Sequence, residues 1–391
     1  MNWEIIRADE FCESVRDGTH DTPKEVENGY KLVTAKHIRD GQIYPEEAYN
    51  ISEKDYLKIC ERSKVEQWDV LMSMIGNGLG RSAVVKDVPR YAIKNLALFK
   101  VGDEVKAKWL HYYLGSEAGQ GLIYNSLQGS GQPFISLNLL RSFPIPMPPY
   151  ETAKRIIDIV SKYDDLIENN QKQIKLLEEA AQRLYKEWFV DLHFPGHETT
   201  TITDGIPEGW GAKTLTDIAS VIMGQSPKSE FYNQEGKGLP FHQGVGSYGT
   251  RFVIDNTYST SYTRIAEAGS ILFSVRAPVG RLNMTKNKVV IGRGLAAINH
   301  RAGKQSYLFY LLKERFFKDD IIGNGAIFAS ISKDELLGQK FLIPNDELVT
   351  RFDAVVSDMD KKIADLADQI ALLTEARDRL LPKLMNGEIE V

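Results

Sequence analysis

Ten positions spaced alternately four and three residues apart run from Ile156 through Val160, Tyr163, Ile167, Asn170, Ile174, Leu177, Ala181 and Leu184 to Trp188. The run recurs 196 residues later as Phe352, Val356, Met359, Ile363, Leu366, Ile370, Leu373, Arg377, Leu380 and Leu384. A mean spacing of about 3.5 residues lays a narrow apolar seam along a helix, which suits a coiled coil. Two such seams in one chain can bury each other. Each helix follows a module of its own, so an antiparallel return of the second along the first is the connection the chain favours. Asn170 is a polar seam residue able to fix register, and Arg377, near a helix end, is expected to snorkel to solvent.

The duplication extends beyond the helices. The same offset maps Gly129 onto Gly325, Ile135-Ser136 onto Ile331-Ser332, Leu140 onto Leu336 and Pro148 onto Pro344. Upstream it drifts to about 200, pairing Val70-Leu71-Met72-Ser73 with Ile271-Leu272-Phe273-Ser274 and Gly80-Arg81 with Gly280-Arg281. Trp3 then pairs with Trp210 and Pro23 with Pro227. Each half reads as a module of about 130 to 150 residues followed by a helix of about 35, or roughly 50 Å. Proline and glycine pairs punctuate the helices: Pro148-Pro149 and Pro195-Gly196 around the first, Pro344-Asn345 and Asn386-Gly387 around the second.

These signals divide the chain into a first module (1–150), a central helix (151–195), a second module (196–345) and a C-terminal helix (346–391). Short β-branched runs such as Lys31-Leu32-Val33, Ala83-Val84-Val85 and Lys288-Val289-Val290-Ile291 predict strands. Helical stretches are expected around Trp109 to Leu114 and Tyr307 to Leu312, and Ser332 with Glu335 forms a capping box. The expected fold is α+β: two globular α/β modules joined by two long helices in an intramolecular antiparallel coiled coil, with pseudo-two-fold internal duplication.

The length, 391 residues with 42% hydrophobic and 26% charged, calls for more than one core and excludes disordered and fibrous classes. Met1 to Glu10 lacks a basic or apolar leader, and no stretch approaches the roughly 18 apolar residues of a membrane span, so a cytoplasmic address is expected. Cys12 and Cys60 lack C-x-x-C spacing and are expected to be neutral buried thiols.

Signatures of catalysis are missing from the sequence: no phosphate loop, H-E-x-x-H pair or nucleophile elbow, and seven scattered histidines. No catalytic residue and no metal ligand is therefore expected. Met147-Pro148-Pro149-Tyr150 resembles the (Asp/Asn)-Pro-Pro-Tyr loop of amino-methyltransferases, but a thioether cannot replace the polar side chain that binds a flipped base's amino group. The matching Ile343-Pro344-Asn345-Asp346 makes helix entry the simpler role for both strings. Gly292-x-Gly294 alone is too short to signify phosphate binding.

The formal net charge of −5 conceals local sign. Between Gly211 and Lys318 there are 15 Lys and Arg against six Asp and Glu, whereas from Asn345 onward the balance is six against 11. A solvated charged face would account for the basic segment. Its interleaving of Tyr248, Arg251, Tyr258, Tyr262, Arg264, Arg276, Arg281 and Arg293 with glycine turns suits phosphate contact and base-edge readout better.

An Ile-Ser element, then Ile145-Pro146-Met147-Pro148-Pro149, then a heptad helix, with Gly224-Gln225-Ser226-Pro227 opening the second module, resembles the specificity subunit of type I restriction-modification systems. Gly18-Thr19-His20-Asp21-Thr22-Pro23, followed by Tyr30-Lys31-Leu32-Val33, resembles the opening of a recognition domain in that family. The resemblance covers essentially the whole chain. It implies a non-catalytic subunit whose two recognition domains each read half of a split double-stranded DNA site, with the helices setting the distance between halves. It also implies two partner modification subunits, similar to N6-adenine methyltransferases, that bind S-adenosylmethionine, and two motor-nuclease subunits that use ATP and Mg. No cofactor is expected in this chain and no membrane partner. The outer faces of the acidic helices would then carry partner contacts.

The candidate DNA-binding residues are Thr19, His20, Lys36, His37, Asn77, Arg81 and Gln132 in module one, and Gln225, Ser226, Gln243, Tyr248, Arg251, Arg276, Arg281 and Arg293 in module two. Lys36-His37 is matched roughly with His242-Gln243, and Ile75-Gly76-Asn77-Gly78 with Arg276-Ala277-Pro278, so the loops differ and an asymmetric bipartite site is expected. The shared Gly-Arg pair suits phosphate contact or fold maintenance rather than base discrimination. The alternatives are a coiled-coil scaffold without DNA specificity, which leaves the glycine-rich basic module unexplained, and the recognition half of a fused restriction-modification enzyme, which lacks the expected nucleotide signatures.

Overall fold

The computed structural model describes residues 3–76, 78–129, 133–316 and 330–391. The chain divides into two compact units, residues 1–169 with 369–391, and residues 170–368. The division falls inside the long helices rather than at the sequence-based boundaries 150 and 345, because each unit takes part of both helices into its core.

The helices span Tyr150–Phe189 and Asp346–Met385, 40 residues each, or about 60 Å at 1.5 Å per residue. They are longer than the expected 35 residues because each starts within two residues of its proline and the second runs to Met385, just before Gly387 in a left-handed conformation (φ 68°). The first ends at Phe189, short of Pro195. Every seam position is buried or half-buried; Ile156, Val160, Asn170, Ala181, Phe352, Val356, Ile363, Leu366 and Leu384 are among the buried ones.

In the first unit a four-stranded antiparallel sheet has the order Ser14–Asp17, Leu96–Lys100, Val70–Ser73, Ser82–Val84. A second sheet joins Asn50–Ile51, Tyr30–Val33 and Tyr91–Ile93, the last two in parallel. Strands such as Leu96–Lys100 are buried along their whole length, which explains their continuous apolar runs. The helix Glu104–Gly115, capped by Asp103 accepting from the Lys106 N–H, carries Trp109 into the core, where its indole N–H donates to the Pro146 carbonyl at 2.7 Å. Trp109, Ile156, Val160 and Leu384 belong to one apolar cluster.

The long helices run antiparallel in this unit: Arg155 reaches the Val391 carbonyl at 3.4 Å while Asp164 meets Arg377 at 2.6 Å. Arg377 therefore does not snorkel. Its guanidinium is held between Asp164 and Asp378, and Asp164 also accepts from the Tyr112 hydroxyl. A charge at a seam position is satisfied by facing carboxylates before solvent is needed.

The second unit repeats the plan. Its four-stranded sheet has the order Ala219–Met223, Leu295–His300, Ile271–Ser274, Leu282–Met284. Its second sheet has five strands, with Leu239–His242 parallel to Val289–Ile291. Gln305–Phe316 is the counterpart of Glu104–Gly115 and buries Tyr307 and Tyr310. Tyr185, Phe189 and Phe352 of the long helices pack edge-on against that pair or each other, and Arg251 bridges Glu178 and Asp360, so the helices are antiparallel here as well.

The repeats align residue by residue at several points. Trp3 precedes a strand whose Glu4 pairs with Met147, and Trp210 precedes one whose Gly211 pairs with Ile343. Met147 is thus a buried strand residue, in keeping with the helix-entry reading. Ile135-Ser136 leads into Leu137–Arg141, and Ile331-Ser332 into Lys333–Leu337 through the expected capping box. Gly325, the match of Gly129, lies outside the described residues. Cys12 is buried, with its thiol pushed up to about 12 by desolvation, and Cys60 is half-buried; both are free.

Candidate nucleic-acid interface

In each unit the two sheets meet at a glycine. In the second unit the Gly224 N–H donates to the Leu295 carbonyl and the Gln225 N–H to the Ile291 carbonyl, both at 2.9 Å. A Cβ on Gly224 would overlap the Gly292 carbonyl oxygen, and one on Gly294 would stand 2.5 Å from the Gln243 carbonyl oxygen. Gly224 and Gly294 are therefore required by backbones that cross at contact distance, and a Cβ on Gly292 would stand 3.0 Å from the Gln243 Cα. The Gly292 N–H donates to the His242 carbonyl at 2.8 Å, and the Gly294 N–H to that of Gln243 at 3.2 Å.

This crossing brings Gln225, Ser226, Gln243 and Arg293 together. The Ser226 Oγ accepts from the Arg293 backbone N–H and donates to Gln243 Oε1, each at 3.2 Å. The Thr263 hydroxyl donates to the Gln225 carbonyl, and the Arg264 carbonyl accepts from the Ile291 N–H at 2.9 Å. The Val275 N–H donates to the Gly294 carbonyl at 2.9 Å, which sets Arg276 one residue from the crossing. Gln225, Gln243, Arg264, Arg276 and Arg293 are exposed, and Tyr262 is 52% exposed. Among the described residues none of these three arginines has a carboxylate within ion-pair distance, so their charge is available to an anion.

The first unit makes the same crossing with different side chains. The Gly18 N–H donates to the Leu96 carbonyl (2.9 Å), the Thr19 N–H to Ile93 (3.0 Å) and the Lys94 N–H to Val33 (2.9 Å). Gly18 is the counterpart of Gly224, Thr19 of Gln225, His20 of Ser226, and Ile93 of Ile291. The strand register also corrects the loop matching: His242-Gln243 corresponds to Val33-Thr34, not to Lys36-His37, because Val33 faces Ile93 as His242 faces Ile291. The Ile75 and Arg276 match holds, since both follow strand-end residues whose carbonyls accept from Ile135 and Ile331 at 3.0 Å.

At the first crossing His20 is exposed, with Nδ1 2.8 Å from Asn95 Oδ1 and Nε2 3.0 Å from Asp17 Oδ2. Asp17 also binds Arg62, and Lys94 binds the Thr22 hydroxyl. Thr19 is half-buried and accepts the Asp21 N–H on its hydroxyl. Lys36 is exposed.

Two candidates are buried and a third is half-buried with its hydroxyl engaged by the backbone. His37 is 1% exposed; its Nδ1 accepts the Thr34 N–H at 2.9 Å, and burial, then Lys36, hold its pKa below the usual 6.5, so it is a neutral turn cap. Arg251 is 3% exposed, paired with Asp360 at 2.6 Å and stacked 3.5 Å over Phe309. The Tyr248 hydroxyl donates to the Leu272 carbonyl at 3.0 Å, and burial pushes its pKa up. Polar residues beside glycine turns can point inward, and sequence alone does not distinguish the two cases.

Arg81 is exposed and Arg281 half-buried; each follows a glycine at φ 82° or 86°, a conformation that explains why the Gly-Arg pair recurs. Asn77 and Gln132 lie outside the described residues. Arg264, Asn95 and Thr34 were not among the candidates, although aligning the two halves on Ile93 and Ile291 brings Asn95 opposite Arg293. Among the described residues no group of three or more His, Cys, Asp or Glu is placed to hold a metal, and no helix is long and apolar enough to cross a membrane.

Comparison with known proteins agrees with this duplicated architecture. The family described as the Type I restriction modification DNA specificity domain matches twice, over residues 1–179 and 207–379. The provisionally assigned type I restriction enzyme MjaX specificity subunit of Methanocaldococcus jannaschii is 28% identical over 406 residues, covering 100% of this chain and 94% of the relative. The HindI specificity subunit of Haemophilus influenzae is 24% identical over 408 residues, covering 84% and 88%. The crystal structure of a type I S subunit from M. genitalium shares the fold, with a TM-score of 0.59 at 18% identity over 98% of this chain and 96% of that one. Carrying two copies of the specificity domain, the chain belongs to the specificity subunits of type I restriction-modification systems.

Proposed function

We propose that each unit reads one half of an asymmetric bipartite DNA sequence, and that the chain itself carries no catalytic centre. The observation that carries this is the pair of equivalent crossings with unlike side chains: Gln225, Ser226, Gln243 and Arg293 in one, Thr19, His20, Thr34 and Asn95 in the other. Equivalent backbone positions give equivalent access to a groove, and different donors and acceptors there select different base edges. Free arginines beside the second crossing supply phosphate affinity that a global charge of −5 conceals.

The two 40-residue helices serve in this reading as the spacer between half-sites and as the dock for two N6-adenine methyltransferase subunits that bind S-adenosylmethionine. Two ATP- and Mg-dependent motor-nuclease subunits complete the restriction complex, which acts in the cytoplasm. Of the sequence candidates, Thr19, His20, Lys36, Arg81, Gln225, Ser226, Gln243, Arg276, Arg281 and Arg293 remain as DNA contacts; His37, Tyr248 and Arg251 become structural.

Adenine methylation mapped by long-read sequencing, in a methylation-free host carrying this chain with and without its methyltransferase subunit, tests the reading. A split, non-palindromic motif that requires both proteins is expected. A palindromic motif would reject unlike half-sites, and no motif from a soluble complex would reject DNA specificity.

A further inference from the structure

We propose that Gln243 reads an adenine in the half-site of the second unit and that Ser226 is the positioning residue that sets its amide. The inference rests on the half-site reading above and adds the base and the mechanism of selection. A free glutamine amide can turn over, exchanging its oxygen and nitrogen, and so present either a donor or an acceptor at a given point. Here the Ser226 hydroxyl is committed: it accepts the Arg293 backbone N–H and donates to Gln243 Oε1. The oxygen is thereby fixed on the Ser226 side, and the NH2 group is turned away from it.

The backbone is shaped for this pair. Gly292 carries no side chain where the two meet; a Cβ there would stand 3.1 Å from Ser226 Oγ and 3.2 Å from Gln243 Oε1. The crossing strands hold both residues from either side, through the Gln225 N–H on Ile291 and the Gly294 N–H on the Gln243 carbonyl. Gln243 is nevertheless exposed, which leaves it accessible for its remaining hydrogen bonds.

That capacity is one lone pair on Oε1 and two N–H donors. Adenine matches it in the major groove: its N6 amino group donates to the oxygen and its N7 accepts from the nitrogen. Guanine offers two acceptors and would leave Oε1 facing O6; cytosine offers only a donor at that edge. A fixed amide turns a residue that tolerates several bases into one that discriminates. Arg264, Arg276 and Arg293 around it carry no carboxylate partner among the described residues and hold the phosphates that seat the edge.

The test uses the complex of this chain with its methyltransferase subunits, mapped for adenine methylation and then measured for binding on duplexes carrying each base at each motif position. Gln243→Ala is expected to lose discrimination about 5- to 140-fold at one adenine of one half-site, the other half-site being unchanged. Gln243→Glu, which cannot donate to N7 but accepts from an amino group, shifts preference at that position towards cytosine. Ser226→Ala relaxes the same position, and Ser226→Thr, which keeps the hydroxyl, restores it. A variant motif identical to wild type overturns the proposal, as does a uniform loss of binding across all positions, which is the signature of phosphate contact or misfolding. Absence of any motif with the wild-type complex would instead reject the half-site reading beneath it.

Discussion

Replacing Arg251 with methionine should destabilise the second unit severely while removing no DNA contact. The guanidinium is 3% exposed, 2.6 Å from Asp360, 3.8 Å from Glu178 and stacked 3.5 Å over the Phe309 ring. Methionine keeps most of the stem but leaves two carboxylates without their cation. Breaking a buried pair from one side costs about 3–5 kcal/mol, because the remaining charge has lost both water and partner. Urea unfolding followed by Trp188 and Trp210, the tryptophans of this unit, measures the loss. Adding Asp360→Leu should recover a large part of it, since the double variant buries no lone carboxylate at that position.

The same variant carries a pH signature. Burial already raises the carboxyls of Asp360 and Glu178 above their ordinary values of 3.8 and 4.5, and Arg251 is the main influence pulling them down. Without it both rise further. A folded-state pKa above the unfolded one means that the folded state binds protons more readily, so the penalty is full above the folded pKa and shrinks as pH falls through it. The gap between variant and wild type should therefore narrow as pH falls through the raised carboxyl pKa values towards the ordinary 4.5 and 3.8. A loss below about 1 kcal/mol, together with weakened DNA binding, would refute the burial argument and return Arg251 to the surface set that its sequence context suggests.

Three further outcomes follow from burial and backbone packing. His111, in contact with Ser82 at 2.9 Å, is held at about 4 by burial, below its ordinary 6.5. Its contribution to the stability of the first unit is present above pH 6.5 and lost as pH falls towards 4, roughly 1–3 kcal/mol in all, and His111→Gln should flatten that part of the pH–stability profile. Gly224→Ala drives a methyl into the Gly292 carbonyl and should cost roughly 2 kcal/mol or more with loss of recognition by the second unit. Gly246→Ala, with open space at its Cβ, should change unfolding by no more than about 0.5 kcal/mol.

The long helices and the duplication were legible because both rest on periodicity. The seam repeats over ten positions in each helix, and no position on it is exposed. The strands flanking each crossing were legible as apolar runs for the same reason: burial on both faces leaves a compositional trace. The sign of an arginine's role was not legible. The sequence neighbours of Arg251, Arg276 and Arg377 do not tell their roles apart, yet one is buried on Phe309, one is exposed and one is clasped by Asp164. What separates them is a partner more than 100 residues away, which no local window contains. The loop matching failed at Lys36-His37 because register depends on hydrogen bonds between strands, and a three-residue slip leaves the local sequence equally plausible.

The repeat supplies its own control for separating scaffold from specificity. Where both halves keep a residue, the backbone gives a reason: Gly80 and Gly280 lie at φ 82° and 86°, Gly18 and Gly224 sit where a Cβ would strike a carbonyl, and Ser136 and Ser332 open short helices. Where the halves differ at matched positions, no left-handed backbone or carbonyl clash dictates the residue: Thr19 against Gln225, His20 against Ser226 and Thr34 against Gln243 all lie on crossings closed by equivalent backbone hydrogen bonds. Side chains free of a folding constraint can change without loss of stability, so differences accumulate there when the target differs. The same comparison excludes Arg251, whose burial between Asp360 and Phe309 gives the fold a use for it. A recognition unit of this kind changes its target by altering the residues on the crossing, while the glycine common to both crossings, Gly18 in one and Gly224 in the other, stays fixed.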